Sequence, residues 1–313
     1  MKAGKKHFSL AALCLCAVLA VSGCSDAKQS ETEAPVFTEG NVVSEAPVSG
    51  RIPQPHEAVV TASTDKGNSG EVTIESGDKY AVISIKDYGD IKVKLYPEEA
   101  PYAVQNFIDL AESGTYDGRN FHRIIEDFMA QGGSANGKGS GGDSFEGGSF
   151  RNEINTSLRH YYGAFCYASA MGDMSDQFYI VNNKQPQSDL RSQYENLAAY
   201  YDSYAQQFKE VRDSFIGNDD YYNYYDLQYR FYSDSVKGLQ AMSETITDAV
   251  EESYQKGGTP SLDGGYTVFG QTVEGFDVLD SITAVEKEMG EDGAVSKPVN
   301  EIIIETVKIY TAE

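Results

Sequence analysis

Four side chains of different chemistry occur at fixed offsets within one short run of this 313-residue chain, and a glycine-rich segment follows at 137–142. They are Arg123, Phe128, Met129 and Gln131. Together they offer a cation, an apolar floor and an amide hydrogen-bond donor. These groups could form a shallow pocket for a proline ring beside a peptide bond, and such a pocket requires neither a nucleophile nor a metal ion.

The elements that must position these side chains are predicted to be short strands accompanied by two helices. Apolar patterns predict a β-hairpin over 80–96, and a helix over 102–113 that begins after a proline and ends at Gly114. Further strands are predicted at 120–125, 128–132, 163–168, 178–181, 268–273 and 299–310, with a second helix at 276–282. Many short strands joined by glycine-rich turns favour a mainly β fold, a closed antiparallel barrel capped by helices.

The pattern FHRII-x-x-FM-x-QGG resembles the signature of the cyclophilin family of peptidyl-prolyl isomerases. The resemblance covers about 79–183 and 257–310. It implies a closed eight-stranded antiparallel β-barrel capped by two helices, in a chain that catalyses cis–trans isomerisation of peptidyl-prolyl bonds.

The resemblance also implies roles for the four side chains. Arg123 would stabilise the twisted amide, with Phe128 and Gln131 as further catalytic residues and Met129 lining the proline pocket. From the residues alone, an alternative stays open in which Arg123 is a surface residue paired with Glu126 or Asp127.

The remaining substrate-binding residues implied by the resemblance come from later segments, which match the family pattern less closely. Ser261 stands where the family has tryptophan, Ser169 where it has asparagine, Tyr179 where it has phenylalanine and Tyr266 where it has histidine. The full predicted substrate-binding set is Met129, Gly139, Ala168, Ser169, Gln177, Tyr179, Leu262 and Tyr266. The arginine side of the pocket is therefore complete, while the proline side is altered.

The barrel pattern is interrupted at 184–256, so the predicted barrel consists of 72–183 and 257–313. Apolar and tyrosine residues recur there at alternating spacings of four and three, with a turn at 217–220 and a second stripe that continues through Ile246 and Val250. This predicts an inserted, tyrosine-rich antiparallel helical hairpin. Its tyrosines could pack the hairpin onto the barrel, or Tyr200, Tyr221 and Tyr224 could bind unfolded chains.

The N-terminus is predicted to be a lipoprotein signal peptide, 1–23, followed by a flexible tether, 24–71. Lysines precede an apolar run that is too short for a comfortable membrane span. The run ends in Ser22-Gly23-Cys24, which resembles a bacterial lipobox with Cys24 as the lipidated residue. The alternative is an ordinary signal peptide that contains a cysteine. Either way the domain is predicted to be extracytoplasmic, and lipidation would anchor it to the cell membrane.

Composition restricts the function classes further. A formal net charge of −23 argues against nucleic-acid binding, and four histidines scattered along the chain suggest no metal cluster. The segment 137–142 fits G-x-G-x-x-G but opens no helix, so no nucleotide cofactor is expected. Cys166 is expected to be a small buried residue. The expected partners are proline-containing unfolded or exported polypeptides. The competing hypotheses are a protein-binding chaperone of the same shape and, with less support, a purely structural surface protein.

Overall fold

The computed structural model describes residues 52–313. The predicted signal peptide, Cys24 and most of the predicted tether lie outside the described residues. Within residues 52–313 no helix is both long enough and apolar enough to cross a membrane.

The described chain contains thirteen strands, five α-helices and one short 3-10 helix, Pro260–Leu262. The strands are β1 (Val59–Thr61), β2 (Lys79–Ile85), β3 (Gly89–Leu95), β4 (Asn120–Ile125), β5 (Met129–Gly132), β6 (Phe150–Arg151), β7 (Glu153–Asn155), β8 (Ala164–Ala170), β9 (Asp173–Val181), β10 (Val268–Glu274), β11 (Lys287–Met289), β12 (Val295–Pro298) and β13 (Ile302–Thr311). The helices are α1 (Pro101–Glu112), α2 (Leu190–Ser214), α3 (Asp219–Glu244), α4 (Asp248–Tyr254) and α5 (Phe276–Thr283).

Eight of these strands form a closed antiparallel barrel. Their order is β5-β4-β13-β2-β3-β10-β8-β9, and β9 pairs back onto β5 to close the ring. The two-residue strand β6 extends the sheet beside β9. The prediction of a closed eight-stranded antiparallel barrel is therefore confirmed, and closure leaves these strands with no free sheet edge.

The barrel interior is filled by side chains that alternate along the strands, as the period-2 pattern requires. In β2, Ala81 and Ile83 are fully buried, while Val82 between them is partly exposed. Phe107 of α1 closes one part of the core, since its ring packs edge-on against Phe165 and Phe178 at centroid distances of 5.0 and 6.0 Å. The two predicted capping helices correspond to α1 and α5.

The segment between β9 and β10 forms the predicted antiparallel pair of helices. Ring contacts run in opposite directions along α2 and α3: Tyr201 meets Tyr232 at 5.3 Å, and Phe215 meets Tyr225 at 5.6 Å. The side chain of Asn218 caps α3.

The prediction that the second helical stripe continues through Ile246 and Val250 is wrong. The helix α3 ends at Glu244 and a separate helix, α4, begins at Asp248, with the Thr247 hydroxyl accepting a hydrogen bond from the Val250 amide at 3.3 Å. Threonine favours a helix N-cap over a helix interior, which explains the break.

The predicted boundary of the tether at residue 71 is also wrong, because part of 52–71 packs on the barrel unit. Strand β1 pairs in parallel with β7. Asn68 is buried, and its side chain donates to the Arg159 carbonyl at 2.8 Å and accepts from the Arg159 amide at 2.9 Å. The segment is ordered by polar contacts rather than by an apolar stripe, so hydrophobic patterning could not reveal it.

Candidate active site

A β-bulge in β4 directs Arg123 to the outer surface of the barrel. Phe121 pairs with Gly132 and Arg123 with Gln131, so two residues of β4 lie opposite one residue of β5. Phe121 and the next inward residue, Ile124, are both fully buried, whereas Arg123 remains partly exposed. A bulge of this kind redirects side chains, and here it places a cation on the outside of an otherwise alternating strand.

Arg123 is one end of a row of side chains that crosses three strands. Cross-strand pairing joins Arg123 to Gln131 and Gln131 to Tyr179. Because residues paired across strands share a face, the three side chains lie on the same outer surface. Three residues of the predicted site are thus adjacent, although β9 follows the Arg123 motif by many residues.

Arg123 has a carboxylate partner that the sequence did not indicate. Its Nε donates to Asp292 Oδ2 at 2.6 Å, and its Nη1 lies 3.8 Å from the Met129 sulfur. Arg123 forms its ion pair with Asp292, whereas the expected alternative partners, Glu126 and Asp127, are both exposed. Asp292 lies in the turn between β11 and β12, 169 residues further along the chain, so no local pattern could identify it.

Asp292 is itself held in place. Its Oδ1 accepts hydrogen bonds from the Ala294 amide at 3.1 Å and from the Ser296 hydroxyl at 2.8 Å. Burial alone raises the pKa of Asp292, but the hydrogen bonds from Arg123, Ser296 and Ala294 outweigh burial and lower this pKa below its usual value. The carboxylate therefore stays ionised. It holds the guanidinium group through Nε, while Nη1 is the nitrogen that lies near Met129.

The apolar part of the site lies on the outside of the barrel, yet it is largely buried. Met129 and Tyr179 are only 2% and 5% exposed, and Leu262 is buried beside them in the same core cluster. Phe128 and Tyr266 are partly buried against that cluster. The rings of Tyr179 and Tyr266 are 6.4 Å apart in an edge-on arrangement. The structure thus brings together the residues that were predicted to form an apolar floor and rim.

The polar side of the site is a chain of amide groups. Gln131 Nε2 donates to Gln177 Oε1 at 3.1 Å, and Gln177 Nε2 donates to the Gly139 carbonyl at 3.2 Å. Gly139 has a φ of +97° and approaches the ring of His122, so a side chain at this position would be strained. Gln131, Gln177 and Gly139 are thereby brought together.

The structure places Ala168 and Ser169 on β8, and both are partly buried. The Ser169 hydroxyl oxygen is buried and has no hydrogen-bond partner within residues 52–313. Buried polar groups are normally paired, so this unpaired oxygen is an exception to the usual pattern. Cys166, on the same strand, is fully buried as predicted.

Three buried residues that the sequence analysis did not select, His160, Asp263 and Phe231, are linked by contacts to Tyr179 or Tyr266. His160 Nε2 lies 2.9 Å from the Tyr179 hydroxyl, and its Nδ1 lies 2.8 Å from Asp263 Oδ1. Phe231 of α3 contacts Tyr266 with ring centroids 6.0 Å apart. The helical hairpin therefore contacts Tyr266 through Phe231, which spacing within the hairpin could not show. Within the described chain, no cluster of His, Cys, Asp and Glu is arranged to hold a metal ion.

Comparisons with known proteins identify one family. A sequence model of the family described as cyclophilin type peptidyl-prolyl cis-trans isomerase matches residues 80–197 and 204–309. A Staphylococcus haemolyticus protein, provisionally named a peptidyl-prolyl cis-trans isomerase, is 33% identical over 223 residues, which cover 71% of this chain and 86% of that protein. A Staphylococcus aureus protein with the same provisional name is 31% identical over 229 residues, 73% of this chain and 90% of that protein.

Among solved structures, the cyclophilin type peptidyl-prolyl cis-trans isomerase of Cryptosporidium parvum is similar, with a TM-score of 0.48 and 22% sequence identity. The match covers 75% of this chain and 99% of that one. The family match over most of the chain and the identity to the bacterial relatives establish that the chain belongs to the cyclophilin-type peptidyl-prolyl cis-trans isomerases.

Proposed function

We propose that this isomerase acts on Xaa-Pro bonds of exported or surface polypeptides, and that Arg123 stabilises the twisted amide during the reaction. Rotation about a peptide bond is opposed by a barrier of about 18–20 kcal/mol, because the twisted form loses resonance. Before proline the two isomers are close in free energy but exchange slowly. A catalyst must therefore bind the twisted amide better than either planar isomer.

The twisted state differs from the planar states at the proline nitrogen, which regains a lone pair. A guanidinium group aimed at that nitrogen stabilises the twisted state selectively, since the planar amide nitrogen is a poor acceptor. Arginine suits this role because it remains charged and presents its donors in a rigid fork. The bulge that turns Arg123 outward and the Asp292 carboxylate that holds Nε support this assignment, and this geometry is the observation on which the proposal rests.

The other residues are proposed to hold the substrate. The proline ring would lie on Met129, Tyr179 and Leu262, bordered by Phe128 and Tyr266. The substrate backbone would exchange hydrogen bonds with Gln131, Gln177 and the Gly139 region, and Ala168 and Ser169 would extend this strip.

The test is cis–trans exchange of a tetrapeptide containing an Ala-Pro bond, measured with the full chain and with Arg123→Ala and Arg123→Lys. Loss of one transition-state donor predicts a fall in kcat/KM of about 100-fold for Arg123→Ala, with an unchanged melting temperature. Arg123→Lys keeps a cation but loses the fork, so it should recover only part of the rate. Background exchange by the unsubstituted chain, or full activity in Arg123→Ala, would refute the mechanism.

The location of the substrates is proposed from the N-terminus. Lysines, a short apolar run and Ser22-Gly23-Cys24 support export and lipidation at Cys24. Cells fed labelled palmitate should label the protein and retain it in the membrane fraction, while Cys24→Ala should abolish both effects. Cys16→Ala, within the predicted signal peptide, is the control and should keep the label. Labelling of Cys24→Ala would contradict the assignment.

A second function, binding of unfolded chains by the hairpin, is favoured by one observation. Tyr200, Tyr221 and Tyr224 are 47%, 47% and 51% exposed on α2 and α3. Tyrosine offers a large amphipathic contact area at low conformational cost. If this surface binds unfolded protein, replacing the three tyrosines by serine should weaken suppression of aggregation without changing tetrapeptide turnover. Equal suppression by both proteins would remove this function.

A further inference from the structure

The buried carboxylate of Asp263 joins the barrel to the helical hairpin. Its Oδ1 accepts from the His160 amide at 2.9 Å and lies 2.8 Å from His160 Nδ1. Its Oδ2 accepts from the Tyr194 hydroxyl of α2 at 2.6 Å and from the Tyr254 hydroxyl of α4. Two of these four hydrogen-bonding groups, the hydroxyls of Tyr194 and Tyr254, therefore come from the hairpin segment.

These donors keep Asp263 ionised despite complete burial. Burial raises the pKa of Asp263, but the hydrogen bonds from His160 and Tyr194 and the nearby charge of Arg159 together lower this pKa below its usual value. A buried carboxylate is a strong acceptor that requires its donors in place. Its position thus depends on where the helices present their hydroxyl groups.

The ionised carboxylate also orients His160. Because the Asp263 carboxylate can only accept, His160 Nδ1 must carry the proton that it donates to Asp263. In the neutral ring Nε2 then has no proton, so it accepts a hydrogen bond from the Tyr179 hydroxyl, 2.9 Å away. Tyr179 is the residue at the centre of the proposed proline floor, paired across strands with Gln131. The continuous path runs from Tyr194 and Tyr254 through Asp263 and His160 to Tyr179.

Arg159 fixes the helices relative to this path. Its Nη1 donates to the Tyr194 hydroxyl at 3.0 Å, and its Nη2 donates to the Met242 carbonyl at 3.0 Å and to Thr245 Oγ1 at 2.9 Å. Because Tyr194 accepts from Arg159 and donates to Asp263, the directions of the hydrogen bonds are mutually consistent. The guanidinium group also satisfies a carbonyl group at the C-terminal end of α3, as a helix end requires.

We infer that Tyr194 and Tyr254 are positioning residues of the proline pocket: acting through Asp263 and His160, the hairpin holds the Tyr179 ring where it contacts the proline. This inference rests on the proposed function, since it assigns a role in the same pocket. A phenylalanine at 179 would depend on packing alone, whereas the hydroxyl of Tyr179 connects its ring to the hairpin. The hairpin is then a part of the isomerase site even for a short peptide that does not reach the exposed tyrosines.

The test is a double-mutant cycle on the full chain, using the Ala-Pro tetrapeptide. Each of Tyr194→Phe and Tyr254→Phe removes one oxygen atom and should raise KM by roughly tenfold with kcat nearly unchanged, because the pocket floor moves while Arg123 does not. In a Tyr179→Phe background, the same substitutions should change KM less than twofold. The control, Tyr222→Phe, removes a hydroxyl from the same hairpin outside this path and should leave KM unchanged.

Additive effects of Tyr194→Phe and Tyr179→Phe, or an unchanged KM in Tyr194→Phe, would overturn the inference. An NMR measurement that does not depend on activity distinguishes failure of this inference from failure of the proposed function. The imidazole ¹⁵N resonances of His160 and the ring resonances of Tyr179 should shift in Tyr194→Phe and stay in place in Tyr222→Phe. If the unsubstituted chain lacks Arg123-dependent exchange, the proposed function fails. If, in addition, the Tyr179 resonances do not shift in Tyr194→Phe, the path from Tyr194 to Tyr179 is refuted as well.

Discussion

At the residue scale, the orientation of Arg123 depends on a carboxylate that makes no predicted contact with the substrate. Asp292 engages Nε at 2.6 Å and is anchored to its own turn through Oδ1. Such a pair has two opposite effects on catalysis. It fixes the fork of the guanidinium group, which favours the reaction, and it partly neutralises the cation, which weakens its field. Nε faces away from Met129, so we expect the orienting effect to dominate.

Replacing Asp292 separates these effects. Asp292→Ala should lower kcat by about tenfold, with KM nearly constant, because the guanidinium group loses its fixed geometry. Asp292→Asn keeps an acceptor oxygen and should lose less. Tetrapeptide turnover at pH 7 measures both variants. A rise in kcat for both would show that charge neutralisation is the larger effect.

The buried imidazole of His122 is expected to lower the free energy of unfolding as the solution becomes acidic. Burial, and to a smaller extent the charge of Arg123, lowers the pKa of His122 from 6.5 to about 4. Both ring nitrogens are buried and have no hydrogen-bond partner within residues 52–313. Between these two pH values the unfolded chain binds a proton at this position and the folded chain does not, so stability increases with pH across that interval.

The free energy of unfolding should therefore fall as the pH decreases from 7 to 4, and His122 should account for about 3 kcal/mol of the decrease. Denaturant unfolding of His122→Leu across this range should lack that part of the slope. The exposed His56→Leu is the matched control and should retain it. Parallel pH profiles for His122→Leu and the unsubstituted chain would contradict the assignment.

At the element scale, α3 packs closely against the loop that contains Asp263, at a contact between Gly238 and Gly264. A Cβ atom added at Gly238 would lie 2.2 Å from the Gly264 carbonyl oxygen, and one added at Gly264 would lie 2.5 Å from the Leu239 nitrogen. Glycine inside a helix is otherwise unfavourable, by about 1 kcal/mol relative to alanine. Close packing of α3 against the loop that carries Asp263 explains its presence at 238.

Gly238→Ala should consequently destabilise the protein by about 1–3 kcal/mol, although alanine is the better helix former, because backbone atoms of the loop must move. Gln240→Ala, at an exposed position of the same helix, is the control and should be neutral or slightly stabilising. Thermal unfolding of the two variants gives the comparison. A more stable Gly238→Ala would mean that the loop yields easily.

The hairpin illustrates which element-scale features are predictable. The spacing of Tyr201, Tyr204 and Tyr232 predicts two antiparallel helices, because a helical stripe is a local property of the chain. The apolar spacing continues across Thr245 and Thr247, so it does not reveal the separation of α4 from α3. The carbonyl groups of Met242 and Thr245 accept hydrogen bonds from Arg159, a residue before β8, so the end of α3 is stabilised by tertiary contacts.

At the scale of the whole molecule, the described segment before β2, residues 52–78, belongs to the folded unit. Asn68 connects to Arg159 through both its amide and carbonyl groups, and its Nδ2 also donates to Gln271 Oε1 at 3.1 Å. A Cβ atom at Gly67, where φ is +50°, would lie 2.0 Å from the Ser157 carbonyl oxygen. This segment therefore approaches the barrel unit as closely as a glycine allows.

Asn68→Ala should lower the free energy of unfolding by about 1–3 kcal/mol, because it leaves the buried Arg159 amide and carbonyl groups without these partners. Thr64→Ala, at an exposed position of the same segment, should change it by less than about 0.5 kcal/mol. Denaturant unfolding distinguishes them. Equal stability of Asn68→Ala and the unsubstituted chain would show that this segment does not contribute to the fold.

The sequence by itself predicted the closed barrel and its two capping helices, and its resemblance to the cyclophilin family implied which residues would surround Arg123. Strand alternation, helix caps and the motif around Phe128 and Gln131 are local patterns, and local patterns reflect backbone geometry over a few residues. For the same reason it indicated the long helices of the hairpin.

Only the tertiary structure decided which distant groups complete the site. It brought Asp292 to Arg123, joined Tyr194 to Tyr179 through Asp263 and His160, and packed Asn68 beside Arg159. Each of these contacts is a polar pairing between segments far apart in the chain. No periodic pattern records such a pairing, because its donors and acceptors meet only after the barrel has closed and the helices have packed against it.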